Sequence, residues 1–539
     1  MSRSAFRFAA LVTVLAMLLG GCMSMDLSGY PEELLWAMGY GSTGYDDMDY
    51  TRPDMQALEA VLDKSCGLAE TAKSVEAVIE GVYDFYDAYD SFTTNYLLAE
   101  LRYCSDLTDI YWGQEYDYCA ENAATVDAML EELYYALAES PHVEALESEE
   151  YFGADFFDAY QGDMLYDDAF VALLEQEAEL ISKYYELQSQ MGDTEYYSEE
   201  FFQTYTQPLT QLLIQLVKLR RQIADAAGYD SYVDMAYEVY YYRDFTAAEA
   251  ELYMEQVSKT LLDLYRQVNG SDVWYRFDSY CSEVETMQYL ESVAQDMGGS
   301  VLKAYRCLSD GKLYDIEYSP NKMDGAYEVF LPSYYVPFIF MSPYLDDTDK
   351  LTLSHEFGHF ANDYTVGGAY AGIDVAEVHS QAMEYLSLCY GSEAGKLAEY
   401  KMADSLSVYM EQSAYALFEQ RLYALTEAEL TEENVQKLYK DICLQFGFDS
   451  WDWDSRDYIV IEHIYTEPVY LVSYVVSNDV ALQIYQAELE TPGKGLKLYE
   501  QALESSDSYL IYFAESLGLE SPFAHGRLEK VKETFQNIL

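Results

Sequence analysis

LTLSHEFGHF, residues 351–360, carries His355, Glu356 and His359 in the order H-E-x-x-H. The chain has six histidines in all, so the number of such matches expected by chance is on the order of 0.01. Residues four apart on a helix point only about 40° apart, so both imidazoles can reach one ion. Glu356 lies beside that face, placed to hydrogen-bond a water at the metal and not to bind the metal itself. Leu353, Phe357 and Phe360 fall on the opposite side and are expected in the core. The plainer alternative is a buried helix with two satisfied histidines. Asp346, Asp347 and Asp349 stand where the helix would begin, a placement that suits its N-terminal dipole.

Two histidines do not complete a catalytic zinc site, which needs a third protein ligand and an open position. The next segment, GIDVAEVHSQAMEYL (residues 372–386), supplies one. Gly367, Gly368 and Gly372 allow a turn between two helices, and the second helix can bring Glu377 back to the metal. Asp374, Ser380, Gln381 and Glu384 are candidates for hydrogen bonds to the ligating histidines. His379 competes with Glu377 as a ligand, although it points from a different face. One Zn2+ per chain is expected on this donor set.

Outward from the motif, residues 305–347 change texture. Short β-prone runs at Ala326–Leu331 and Val336–Met341 are bounded by Gly, Pro and Asp. From about 56 to 265, and again after 346, apolar residues recur at three and four spacing with few Gly or Pro. The fold expected is mostly α with one small sheet beside the metal helix. Two lobes are expected, an N-terminal helical domain over 56–205 and a catalytic domain over 206–539.

The N-terminus, MSRSAFRFAALVTVLAMLLGGC, has Arg3 and Arg7, then an apolar run too short to span a bilayer. It resembles a bacterial lipoprotein signal: a signal peptide over 1–21, lipid on Cys22 and a tether over 22–55. That implies a body held on the extracellular face of the membrane. An ordinary secretory signal is the alternative. No later segment reads as transmembrane. With 96 acidic against 30 basic residues the formal charge is −66; a nucleic-acid partner is not expected, because phosphate contacts need clustered Lys and Arg. The 57 tyrosines against 23 phenylalanines read either as compositional bias or as the lining of a peptide channel. Seven cysteines follow Cys22 without a C-x-x-C pair; Cys104 and Cys119 are spaced to close a short disulfide loop.

H-E-F-G-H followed by D-x-x-E-x-H-S-x-x-x-E resembles the M3 family of zinc oligopeptidases, in particular its oligoendopeptidase F and Pz-peptidase branch. KMDGAYEVF, PFIFM and EHIYTEPVYLVSY (residues 462–474) are similar to further elements of that family, in the same order. The resemblance covers roughly 205–539; residues 23–200 match only as generic helix. It implies a two-lobed helical metallopeptidase with a deep channel, monomeric, acting on short unstructured peptides. It implies His355, His359 and Glu377 as zinc ligands, and Glu356 as general base. His463 and Tyr474, with Tyr470 as alternate, would bind the oxyanion. Gly325, Ala326 and Tyr327, and the strand bearing Phe338 and Phe340, would contact substrate, with that strand offering its edge to the peptide. A surface lipoprotein that binds peptides without cutting them is the alternative; an intact Glu356 argues against it.

Overall fold

The computed structural model describes residues 43–148, 151–154, 156–160, 168–191, 197–277, 279–368, 371–451 and 453–539. The signal peptide and Cys22 lie outside these residues.

Helices dominate, and local chemistry sets many of their starts. Asp54 accepts hydrogen bonds from the N–H groups of Gln56 and Ala57 at the head of helix Met55–Thr71. Thr246 with Glu249, and Ser282 with Glu285, form capping boxes at Ala247–Asn269 and Glu283–Met297. The motif helix runs Asp349–Val366 and ends at Gly367, which takes φ +70°, a conformation open to glycine. Asp349 stands in its first turn, as expected; its carboxylate folds back to accept from Tyr344 N and Leu345 N, and Asp347 pairs with Lys350.

The sheet has three strands, β1 (Tyr314–Asp315), β2 (Ala326–Leu331) and β3 (Val336–Met341), in the order β1-β3-β2. β2 and β3 form an antiparallel hairpin from Ala326↔Met341 to Leu331↔Val336, and β1 runs parallel to β3. The sheet is covered on both faces. Tyr327, Phe338 and Phe340 face the N-terminal side: Tyr45 lies 4.3 Å from the Phe338 ring and Tyr327 stacks on Phe340. Alternation turns Glu328 and Phe330 toward the motif helix and the turn after it, where Phe330 covers Gly368.

This topology corrects two expectations. Phe338 and Phe340 are 0% exposed; they are core residues and cannot touch substrate. β3 is the central strand, paired on both edges, so the outer edges belong to the two-residue β1 and to the six-residue β2.

The N-terminal helices Met55–Thr71, Val75–Ser105 and Ile110–Ala138 pack on one another around two small cores of their own. The main core takes in helices Asp168–Met191 and Glu199–Ala226 with nearly everything after them. A boundary at 205 therefore falls inside a helix whose apolar face belongs to the main core. The tether also ends earlier than expected. From Tyr45 onward the chain is docked: Arg102 donates to Met48 O, and Tyr45 N donates to Gly311 O. The cysteines after Cys22 are all free thiols. Cys104 lies against Met323 and Cys119 beside Tyr50, so the expected short loop is not closed.

Candidate active site

The motif helix and the helix Ile373–Ser387 cross with their backbones nearly touching. A Cβ added at Gly358 would stand 2.5 Å from both His379 O and Ser380 Cα. Only glycine fits there, and the close approach carries Glu377 to the two histidines. Donor atoms of His355, His359 and Glu377 lie within 4.8 Å of one another. The histidine rings are 5.1 Å apart between centroids, and His355 Nε2 is 3.5 Å from Glu377 Oε2. Leu353, Phe357 and Phe360 are buried on the far side of the helix.

The surroundings orient these donors. His355 Nδ1 donates to Glu384 Oε1 at 2.9 Å, which turns Nε2 toward Glu377. Glu384 Oε2 is held by the buried ammonium of Lys401 at 2.6 Å. Ser380 Oγ donates to Glu377 Oε2 at 3.1 Å and Tyr470 Oη to Glu377 Oε1 at 3.0 Å. Glu384 thus acts on a histidine as expected, whereas Ser380 serves the carboxylate and Gln381 donates to Tyr474 O. Asp374 departs from expectation: it pairs with Arg243, 3.2 Å away. His379 is buried against Phe513 and stands outside the donor cluster.

Electrostatics fit a cation. Burial works to lower His355, but the Glu384 hydrogen bond and the Glu377 charge outweigh it and raise the imidazole to about 9. Burial, with the charge of His355, holds His359 well below the ordinary histidine value. Burial raises Glu356 to about 7 against the pull of His355. Burial would also raise Glu384, but Lys401 and His355 keep it ionised below its ordinary range. Glu328 on β2 and Asp363 on the motif helix add acidic groups nearby; burial raises Asp363 to about 7 and Glu328 further, helped by Asp363 and Glu356. Two imidazoles and a carboxylate, in an environment this rich in carboxyl groups, suit a divalent ion such as zinc.

His463, Tyr470 and Tyr474 line one side of the site. The His463 ring is 5.4 Å from Tyr470 and 6.1 Å from Tyr474. It is about one-third exposed, at 33%, and burial lowers it to about 4, leaving a neutral ring at pH 7. Tyr470 is committed to Glu377, while Tyr474 is the more exposed of the two tyrosines. Gly325 precedes β2, and Ala326 and Tyr327 begin it; Gly325 takes φ +122° and its carbonyl accepts from Ser342 N, and Tyr327 turns to the face of the sheet that carries Phe340. Sequence reading missed Arg243, Lys401 and the packing role of Gly358. Only the glycine inside H-E-F-G-H was a signal within reach.

The Peptidase M3 N-terminal domain model matches residues 45–165, the part of the chain that read as generic helix. No curated protein matches the chain. Among solved structures, a protein assigned as an oligoendopeptidase F superposes with a TM-score of 0.76 at 20% identity, covering 92% of this chain and 98% of the other. Pz peptidase A bound to an inhibitor gives 0.76 at 20% identity, with 91% and 98% covered. A second protein assigned as an oligoendopeptidase F, from Bacillus anthracis str. Ames, gives 0.73 at 19%, with 92% and 98% covered. This chain therefore has the mostly helical fold of oligoendopeptidase F and Pz peptidase A, carried through nearly the full length of both.

Proposed function

We propose that the protein is a zinc-dependent endo-oligopeptidase that hydrolyses internal bonds of short, unstructured peptides. The observation that carries this reading is the convergence of His355, His359 and Glu377 within 4.8 Å, with the carboxyl of Glu356 beside them. His355, His359 and Glu377 would hold a zinc ion, which would supply Lewis acidity for the scissile carbonyl and the attacking water. Glu356, raised to about 7 by burial, takes that proton on its carboxylate and delivers it to the leaving amine nitrogen. Tyr474 Oη and His463 donate to the carbonyl oxygen as it gains charge, and Tyr470 holds Glu377 in place. The free edge of β2 receives the substrate main chain as an added strand, with Gly325 and Ala326 at its entry. The lipid on Cys22 would hold this activity at the extracellular face of the membrane, and Cys22→Ser would release the protein from the membrane fraction.

The test is incubation of the purified protein with a pool of short peptides, with and without a zinc chelator, read by mass spectrometry. Internal cuts that vanish with chelator and return with zinc are expected. Glu356→Gln lowers turnover by about 10²–10⁴-fold while zinc stays bound. Wild-type cleavage by that variant refutes the assignment.

A further inference from the structure

Of the three oxyanion-side residues, His463 and Tyr474 stand on helices, but Tyr470 lies in the irregular stretch between them. After the single turn His463–Thr466 the chain runs irregularly to the helix Val472–Glu490. Within it Val469 takes φ +59°, a left-handed conformation that a β-branched side chain resists. Something must hold it there.

Arg243 does so with two of its nitrogens and is itself anchored by the third. Nη1 donates to Val469 O at 3.0 Å, and Nη2 to Tyr470 O at 3.4 Å and Ser473 Oγ at 2.9 Å. Nε donates to Asp374 Oδ2 at 3.2 Å. The guanidinium is 0% exposed and Asp374 2%. It lies over the rings of Tyr237 and Tyr241 at 4.2 and 4.3 Å, and Tyr241 Oη donates to Pro468 O at 2.9 Å. Asp374 sits one turn before Glu377 on the same helix, and Tyr470 Oη closes back onto Glu377 Oε1. A ring of contacts thus runs from Glu377 through Tyr470, Arg243 and Asp374 back to the helix of Glu377.

We propose that Arg243 is a positioning residue for the reaction. It keeps Val469 in its strained turn and so fixes Tyr470 and Tyr474 relative to Glu377. The inference rests on the peptidase reading above. A guanidinium fork suits this task because it serves several acceptors in one plane; a lysine supplies a point charge that cannot.

The test is a cycle of Arg243→Lys, Val469→Gly and the double variant. Arg243→Lys keeps the buried charge opposite Asp374 but loses the fork. It is expected to lower kcat on the order of 100-fold, the scale of a small misplacement of catalytic groups. KM should stay within about threefold and zinc at one per chain. A peptide carrying a tetrahedral phosphinate should lose affinity in proportion to kcat/KM. Glycine accepts the left-handed turn without strain, so the double variant, measured against Val469→Gly alone, should recover at least about tenfold of the loss. A merely structural role would lower melting temperature without this recovery. A crystal structure of Arg243→Lys gives a readout independent of turnover: Val469 relaxed to negative φ and Tyr470 Oη withdrawn from Glu377. Wild-type kcat in Arg243→Lys, or a loss matched by lost zinc, overturns the inference. If the wild-type protein cuts no peptide, it is the peptidase reading that fails, and the crystal structure still decides whether Arg243 holds the turn.

Discussion

Replacing Glu384 with glutamine should weaken zinc binding at high pH and leave it little changed near neutrality. Two effects of one carboxylate explain this. Glu384 accepts from His355 Nδ1 at 2.9 Å and is itself ionised by Lys401 at 2.6 Å. Such a partner raises the basicity of a ligating imidazole, and losing it typically costs 10–100-fold in metal affinity. The same hydrogen bond helps raise the metal-free imidazole to about 9. Zinc must displace that proton, so apparent affinity falls about tenfold for each pH unit below 9, about 100-fold or ~2.7 kcal/mol by pH 7. Glutamine removes that charge and leaves only Glu377 and Glu356 to raise the imidazole against burial, so it falls back toward its ordinary value and this competition weakens. At pH 9.5 the variant should therefore bind zinc about 10–100-fold more weakly than wild type, and the difference should shrink or vanish at pH 7. Competition with a chromophoric chelator across pH 6.5–9.5 measures both arms. Equal affinity at pH 9.5 would refute the role given to Glu384. A constant deficit at every pH would refute the protonated His355 of the metal-free state.

Gly358→Ala puts a methyl 2.5 Å from His379 O and Ser380 Cα; the helices must part, and equilibrium dialysis should find zinc affinity down at least about tenfold. Phe338→Ala should destabilise the protein by about 3–5 kcal/mol in chemical denaturation, while KM for peptides at a temperature where the variant is folded stays unchanged, because this ring is core. The acid limb of kcat/KM should fall below pH 7: Glu356 must be ionised to accept a proton, burial raises it to about 7, and the positive charge of a bound ion pulls it down again. Activity is thus lost as pH falls through that limb, and in Glu356→Gln the limb should vanish along with most of the rate.

How much of the site the sequence disclosed follows from the range of each interaction. His355 and His359 are one helical turn apart, so their shared direction is a local property. Glu377 was within reach because one glycine-rich turn separates its helix from theirs. The two strands were legible to the residue, because β-branched and aromatic runs ended at clear breakers. Their roles were not. β3 lost its free edge to β1, a two-residue strand with no periodicity of its own. Asp374 looked like a partner of the histidines because it lies three residues from Glu377. Its real partner, Arg243, stands 131 residues away in the chain, a distance at which no spacing rule operates. Lys401 was hidden for a related reason: a lysine on a helix is ordinarily solvated, and only the folded structure buries it between Glu384 and Asp404.

The buried charges around the motif also favour protons in the metal-free site. Arg243 offsets Asp374 and Lys401 offsets Glu384, each pair closed by direct contact. Among the described residues no lysine or arginine is paired with Glu377 or Glu356. Burying two such carboxylates unpaired is costly, and the nearest remedy is a proton on His355 and a partial one on Glu356, which is the direction in which both are shifted. A divalent ion removes the need for either proton. It would free His355 Nε2 for coordination and leave Glu356 ionised, the state the proposed base needs. On the proposed mechanism, metal uptake and the arming of Glu356 as base would be one electrostatic event, set in part by residues that never touch substrate.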